Sequence, residues 1–158
     1  MNTEELYYQV ASAHQLDQDD RNRQLELKAS GTLGVAVALM GIGAVILTDF
    51  STADVPTAAW LFALGLGLAF LAVAIAAFDV LWPRTFSRAP NLEQFSKHIE
   101  EGSFEESTMV EWIGDQFSAN INSNEPIIIA KAKALNLAML ILVVQAGMLA
   151  ALAAALRL

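Results

Sequence analysis

The sequence of 158 residues contains no cysteine and only two histidines. Without thiols, disulfide scaffolds, thiolate metal sites and cysteine nucleophiles are excluded. Neither His14 nor His98 has a second histidine at helical spacing, which a metal site on a helix would need. Only 16% of the residues are charged, whereas soluble chains carry about 25%. These shortages argue against a soluble enzyme.

Sequence motifs for catalysis are also missing. The chain has no phosphate-binding G-x-x-x-x-G-K-[ST] loop and no G-x-S-x-G nucleophile turn. Seven acids lie within residues 92–121, but a run of charges is usually a solvated helix face. We therefore expect no enzymatic activity, no catalytic residue, no cofactor and no metal site.

Basic residues are scarce relative to acids. Nine lysines and arginines stand against 17 acids, which gives a formal charge of −8. Nucleic-acid binding needs clustered basic residues, so we expect no nucleic-acid partner. The first residues, Met1–Glu5, are acidic and polar, and they lack the basic and apolar regions of a signal peptide.

What the chain has in abundance is apolar sequence, 55% of the total, and three stretches carry no charge: residues 29–48, 55–78 and 134–156. A helix of about 20 apolar residues crosses the hydrocarbon core of a bilayer. Most of the nine glycines lie in these stretches, where they would weaken soluble helices but allow close packing in a membrane. The pattern predicts an all-α integral membrane protein, with three transmembrane helices plus cytoplasmic amphipathic helices.

The predicted organisation has four segments. They are a cytoplasmic N-terminal helix (1–31), a transmembrane hairpin (32–81, with spans at about 32–48 and 58–80), a cytoplasmic helical segment (82–133) and a third transmembrane helix (134–158). All basic residues except Arg157 lie in the first and third segments. The positive-inside rule therefore predicts a multi-pass plasma-membrane protein with its N-terminus in the cytoplasm and its C-terminus outside.

Aromatic and basic residues flank the predicted spans. Trp60 and Trp82 lie 22 positions apart, which is about 33 Å along a helix and fits one tryptophan at each membrane interface. The candidate interface anchors are Trp60, Trp82, Arg84, Lys28, Lys131 and Lys133.

The cytoplasmic segment 82–133 shows two apolar stripes at helical spacing. The first is Leu92, Phe95 and Ile99, and a capping box at Ser103–Glu106 follows it. The second stripe consists of Met109, Trp112, Ile113, Phe117 and Ile121. Because this segment is acidic, we expect it to pack against the N-terminal helix or a neighbouring copy rather than on lipid. The polar run 17–23 indicates a solvated helix or a short break, and Asn122–Pro126 predicts a break or kink before the third span.

Gln145 stands at the midpoint of the third span, where an unpaired amide is costly. We expect it to find a partner either within the three-helix unit or on another subunit. Small residues at helical spacing suit close helix contacts. The candidates for helix packing or oligomerisation are Gln145, Gly147, Ala151, Ala155, Gly65 and Ala69.

Three short motifs carry a family resemblance. Glu26-Leu27-Lys28-Ala29 resembles the D-x-K-A start of the first span in small transmembrane effectors of antiviral signalling, the cyclic-pyrimidine (Pycsar) type and related two- and three-span families, with Glu26 in place of Asp. Pro83-Arg84 is similar to the P-R motif that closes their second span. The approach to the last span, with Ser118, Asn120 or Asn122, Asn124 and then Lys131-Ala132-Lys133-Ala134-Leu135, is similar to their S-I-x-x-N and K-x-x-x-L pattern.

The resemblance implies a non-enzymatic membrane effector in antiviral defence. Its cytoplasmic helices would sense a cytoplasmic protein or a nucleotide signal, and its spans would then assemble as a homo-oligomer and damage the lipid bilayer. The alternative is a structural or accessory membrane subunit, cellular or viral, that acts by helix packing with a partner.

Overall fold

The computed structural model describes residues 3–48, 55–86 and 106–156. Within these ranges the chain forms three helices and no strand. Helix α1 is Thr3–Thr48, α2 is Thr57–Leu81 and α3 is Glu106–Ala155. All three are long and apolar enough to cross a membrane. The all-α membrane fold predicted from the sequence is therefore confirmed.

Local sequence accounts for where α2 begins and ends. Pro56 caps its start, and the Pro56 carbonyl accepts a hydrogen bond from the backbone N–H of Ala59 at 2.9 Å. At the other end, the Trp82 N–H still donates to the Phe78 carbonyl at 2.8 Å, but Trp82 has ψ 125°. The residue before a proline is driven out of the helical region, so Pro83 ends α2.

Helices α1 and α3 continue through two places where the sequence allowed a break. The polar run 17–23 lies inside α1, which continues without a break into the apolar part of the chain. Of the break or kink predicted at Asn122–Pro126, the break is wrong, because Pro126 lies inside α3, and the kink stays a prediction. Proline removes one backbone hydrogen bond, to the carbonyl four residues earlier. Asn122 and Pro126 are both exposed, so water can reach that carbonyl. The first apolar stripe, Leu92, Phe95 and Ile99, and the capping-box residue Ser103 lie outside the described residues.

The chain divides into two compact units. One, here called the polar unit, comprises residues 1–24 and 83–130, and the other, the span unit, comprises residues 25–82 and 131–158. In the polar unit α1 and α3 run parallel, since Tyr7 contacts Ser118 and the later Gln18 contacts Glu125.

The span unit contains all of α2 and the apolar parts of α1 and α3. Three buried clusters follow one another along it, and each contains residues of all three helices. The first is built on Ala29, Val80 and Leu135, the second on Ala36, Val73, Ala76 and Ala138, and the third on Ala59, Leu66 and Leu152 with Met40 and Leu47 beside them. Helix α2 is antiparallel to α1, as expected for consecutive spans joined by a short connection.

Buried positions recur along each helix at alternating separations of three and four residues. On α1 they include Ala11, Gln15, Gln18, Asn22, Ala29, Thr32 and Ala36; on α2, Leu66, Ala69, Val73, Ala76 and Val80; on α3, Asn124, Ile128, Lys131, Leu135, Ala138, Gln145 and Leu152. This is the heptad spacing of coiled-coil packing, which is also the common geometry of membrane helix bundles. We call these buried positions the seam.

The outer surface of the span unit is apolar. Large side chains such as Val45, Leu61, Ile75, Leu140 and Val143 are exposed. A surface of this kind is unfavourable in water and favourable against lipid tails. Thr32, Lys131 and Gln145 are instead buried inside the span unit, at the seam.

Candidate functional site

The amide of Gln145 lies at the seam of the span unit. Its side chain is fully buried, and Nε2 donates a hydrogen bond to the Ala36 carbonyl at 2.9 Å. Gln145 Oε1 has no hydrogen-bond partner in the described part of the chain. The sequence left open whether the partner of Gln145 lies in the same three-helix unit or on another subunit. The structure provides a partner within the same unit.

An ion pair lies at another seam position of the same unit. Lys131 Nζ is 2.7 Å from Glu26 Oε1. The Lys131 side chain is 2% exposed, whereas the Glu26 side chain is 40% exposed. A charge is buried in a protein only when it is paired, and α1 supplies the carboxylate to the lysine of α3. The two residues belong to two of the motifs that carried the family resemblance, and the structure brings them together.

The seam of the polar unit is built from amides. Gln18 is 1% exposed, and its Nε2 donates to the Ile121 carbonyl and to Glu125 Oε2, each at 3.0 Å. Asn22 and Asn124 are also buried. Polar side chains at seam positions lower stability but fix the register of the paired helices. Asn124 was named only as part of a family motif, and Gln18 and Asn22 were not predicted as site residues, although the spacing of Gln15, Gln18 and Asn22 at three and four residues was a readable signal.

Tyr7 closes the polar unit near the start of α1. Its hydroxyl lies 3.1 Å from Asp115 Oδ1, to which it donates, and 2.8 Å from Ser118 Oγ. Its ring lies against the backbone at Gly114, where an added Cβ would be 2.6 Å from two ring carbons. Only glycine leaves room for this ring, so Gly114 is a packing residue that the sequence analysis missed.

The predicted cytoplasmic stripe, Met109, Trp112, Ile113, Phe117 and Ile121, lies on α3 in the polar unit, and all five side chains are half-buried. The ring of Phe117 packs at a tilt against Tyr8 of α1, with centroids 5.8 Å apart. Part of the stripe therefore contacts the N-terminal helix of the same chain, one of the two surfaces named for it.

Apart from Gln145, the predicted packing residues fall into three groups. Gly65 and Ala69 lie inside the span unit, where a Cβ on Gly65 would be 3.1 Å from Met148 Sδ and Ala69 is buried. Ala151 and Ala155 are half-buried at the other end of α3. Gly147 is exposed, with nothing within 4 Å of an added Cβ. Gly147 is therefore open to a neighbouring molecule, while Gly65 serves packing within the chain.

The predicted interface anchors also differ in placement. Trp60 and Trp82 are exposed near opposite ends of α2, as membrane anchors would be, and Trp82 packs against Phe78. Lys28 and Lys133 are exposed, and Arg84 is half-buried. Lys131 is instead buried in the seam, and its role as an interface anchor stays a prediction.

The described residues contain no group of three or more histidine and acidic side chains that could hold a metal ion. At the seam, Gln18, Thr32 and Gln145 donate to backbone carbonyls. Gln18 and Lys131 also bind the carboxylates of Glu125 and Glu26. The arrangement can hold helices in a defined register. That the protein is not an enzyme stays a prediction.

Comparison with known proteins identifies a family. The family model of the Pycsar effector protein domain matches residues 11–158, nearly the whole chain. No curated protein and no solved structure matches. The matched range includes the residues of the three short motifs, the Glu26–Lys131 pair and Gln145, so the resemblance drawn from those motifs is confirmed. The chain belongs to the Pycsar effector family, and it is a membrane protein with a role as an effector in antiviral defence.

Proposed function

We propose that this protein is a non-enzymatic effector that assembles through its spans and perturbs the integrity of the plasma membrane. In this proposal the N-terminus and the polar unit are cytoplasmic, the C-terminus is outside, and a cytoplasmic protein or a nucleotide signal acts on the polar unit. The bilayer and further copies of the chain are the other partners.

One observation carries the proposal: α3 presents a second stripe with heptad spacing on its outer face. The stripe consists of Asn136, Leu140, Val143, Gly147, Ala150 and Ala154, and all six are exposed. Small residues let helix backbones approach closely in lipid, where apolar burial alone does not drive association. Copies in one membrane share one orientation, so two α3 helices would pack in parallel. Each residue of the stripe would then lie close to the same residue of the other copy.

The interior of the span unit supports the same conclusion. Gln145 and Lys131, two polar residues buried on α3, bind Ala36 and Glu26 of their own chain. Assembly would therefore use the small residues outside rather than the polar residues inside. Assembled spans that damage a bilayer need no reactive group, which agrees with a site built only for helix register.

Dye release from liposomes tests the proposal. The purified chain, reconstituted at increasing protein-to-lipid ratio, should release an entrapped dye with a steeper than linear dependence on protein density. Failure to release dye at any density, together with co-purification of one stoichiometric membrane partner, would favour the accessory-subunit alternative.

Two glycine substitutions provide a matched comparison. Gly147 of α3 and Gly34 of α1 are both exposed, with nothing within 4 Å of an added Cβ. Gly147→Leu should therefore leave the single chain intact but block close α3 packing, and it should lower both crosslinked oligomer and dye release. Gly34→Leu should change neither. If Gly34→Leu were the damaging variant, the assembly face would be assigned to α1 instead.

A further inference from the structure

Lys131 is an unexpected residue to find inside a helix bundle. It occupies a seam position of α3 one step before Leu135, which belongs to the apolar cluster with Ala29 and Val80. Burying an ion pair gives little or no net stability compared with apolar side chains of the same size. Removing one partner of such a pair, in contrast, is strongly destabilising. The pair is therefore poorly explained as a source of stability and well explained as a contact that can be made or broken.

The two partners differ in how they can be reached. Lys131 is almost completely enclosed, while two fifths of the Glu26 side chain is exposed. A group in the surrounding solution can therefore draw away or neutralise Glu26 without entering the bundle. The cost then falls on Lys131, whose ammonium would lose the carboxylate at 2.7 Å while it remains buried between α1 and α3.

The pair lies where α1 and α3 enter their apolar parts, so its loss would affect the contact between these two helices. Glu26 lies just before the first charge-free stretch of the chain, which begins at residue 29, and Lys131 lies just before the third, which begins at residue 134. A loss of pairing here weakens the contact between α1 and α3 where both enter their apolar parts. Farther along, the same two helices are joined by the hydrogen bond from Gln145 to the Ala36 carbonyl and by apolar packing.

We propose that the Glu26–Lys131 pair is a latch, opened from the exposed Glu26 side, that holds α1 against α3 at the start of the spans. The latch rests on the proposed function in one respect: the closed pair would correspond to the unassembled state, and opening it would let α3, whose outer stripe is already exposed, move away from α1 and pack against other copies. Its structural part, the coupling of Glu26 to the α1–α3 contact, stands independently of any membrane damage.

The test uses the full-length chain in liposomes and reads the two parts separately. Because the chain has no cysteine, Ala29→Cys and Leu135→Cys can be introduced as a disulfide pair that reports α1–α3 contact at the adjacent level. Dye release is measured in parallel on the same protein, which carries the Ala29→Cys and Leu135→Cys substitutions. Circular dichroism of each variant confirms that the helices are retained.

Four variants distinguish a latch from an ion pair that only supports the packing of α1 and α3. Glu26→Gln should slow disulfide formation about tenfold or more, because it leaves Lys131 buried without its carboxylate. Lys131→Met should crosslink at the native rate, because it removes the buried charge and fills its space. Glu26→Gln should then have no effect in the Lys131→Met background. The exchanged pair, Glu26→Lys with Lys131→Glu, should recover at least part of the native rate.

Asp20→Asn is the matched control, since it removes an exposed carboxylate from the same helix, and it should crosslink at the native rate. Native crosslinking by Glu26→Gln would overturn the latch, and so would equal losses in Glu26→Gln and Lys131→Met. Slower crosslinking by Glu26→Gln without any increase in dye release would keep the structural latch and refute its link to assembly. Failure of the native chain to release dye at any density would instead refute the proposed membrane damage.

Discussion

Replacing Gln145 by methionine tests whether this amide serves the chain's own packing. Methionine keeps the unbranched shape of the side chain and removes both polar atoms. The Ala36 carbonyl lies inside α1 and has a backbone donor one turn later, so losing the Nε2 bond leaves no unpaired acceptor there. The substitution also removes Oε1, which is buried without a hydrogen-bond partner among the described residues.

The two effects have opposite signs and similar sizes. One hydrogen bond between membrane helices contributes about 0.6 kcal/mol on average and about 1.7 kcal/mol at most. Removing a buried unsatisfied polar atom returns about 1–3 kcal/mol. The expected change therefore runs from about 0.7 kcal/mol of destabilisation to about 2.4 kcal/mol of stabilisation. Gln145→Met should be close to neutral or stabilising, although it removes a polar contact in the middle of a span.

Equilibrium unfolding in mixed micelles with increasing SDS measures this change. Gln145→Ala serves as the comparison, because it leaves a cavity at a fully buried position and should cost about 2 kcal/mol or more. Crosslinking of the oligomer in liposomes should be unchanged by Gln145→Met, since the side chain is not exposed. A loss of more than about 2 kcal/mol, or loss of the oligomer, would refute this account and place a further partner on Gln145.

Two further predictions concern the polar unit and the orientation. Gly114→Ala should gain about 1 kcal/mol of helix propensity but displace the Tyr7 ring, so we expect a net loss of about 1 kcal/mol in the free energy of unfolding. In a Tyr7→Ala background the same substitution should become stabilising. Thermal unfolding of the double-mutant cycle measures both effects. For orientation, an impermeant maleimide should label Thr48→Cys on intact cells and His14→Cys only after permeabilisation, since both sites are exposed. Labelling of His14→Cys on intact cells would reverse the proposed topology.

The helices themselves were predictable because their causes are local. Charge-free stretches of sufficient length predict spans, and Pro83 predicts the end of α2. Pro126 was misleading because the prediction there also rested on a local rule. The rule that proline interrupts a helix concerns one lost hydrogen bond, and sequence alone does not say that the affected turn is exposed. The polar run 17–23 likewise looked like a break, although Gln18 and Asn22 are buried.

The site was less predictable, because its contacts join distant parts of the chain. Lys131 and Glu26 are separated by 105 positions, and a lysine beside a span is most often an exposed anchor. The periodicity of the buried positions contains the missing information. Gln15, Gln18 and Asn22 follow one another at three and four residues, which predicts one face. That face would have suggested buried amides instead of a solvated helix.

The distribution of polar residues also explains how a largely apolar chain acquires a single arrangement. Lipid tails solvate leucine as well as another helix does, so apolar packing alone discriminates poorly between registers within a bilayer. On α3, Asn124, Lys131 and Gln145 are separated by multiples of seven, and each is buried. A shift of one or two positions in the seam would turn all three toward lipid or solvent and remove their contacts together. The polar seam therefore fixes the register within the chain, which leaves the small residues on the outer face of α3 free for other copies.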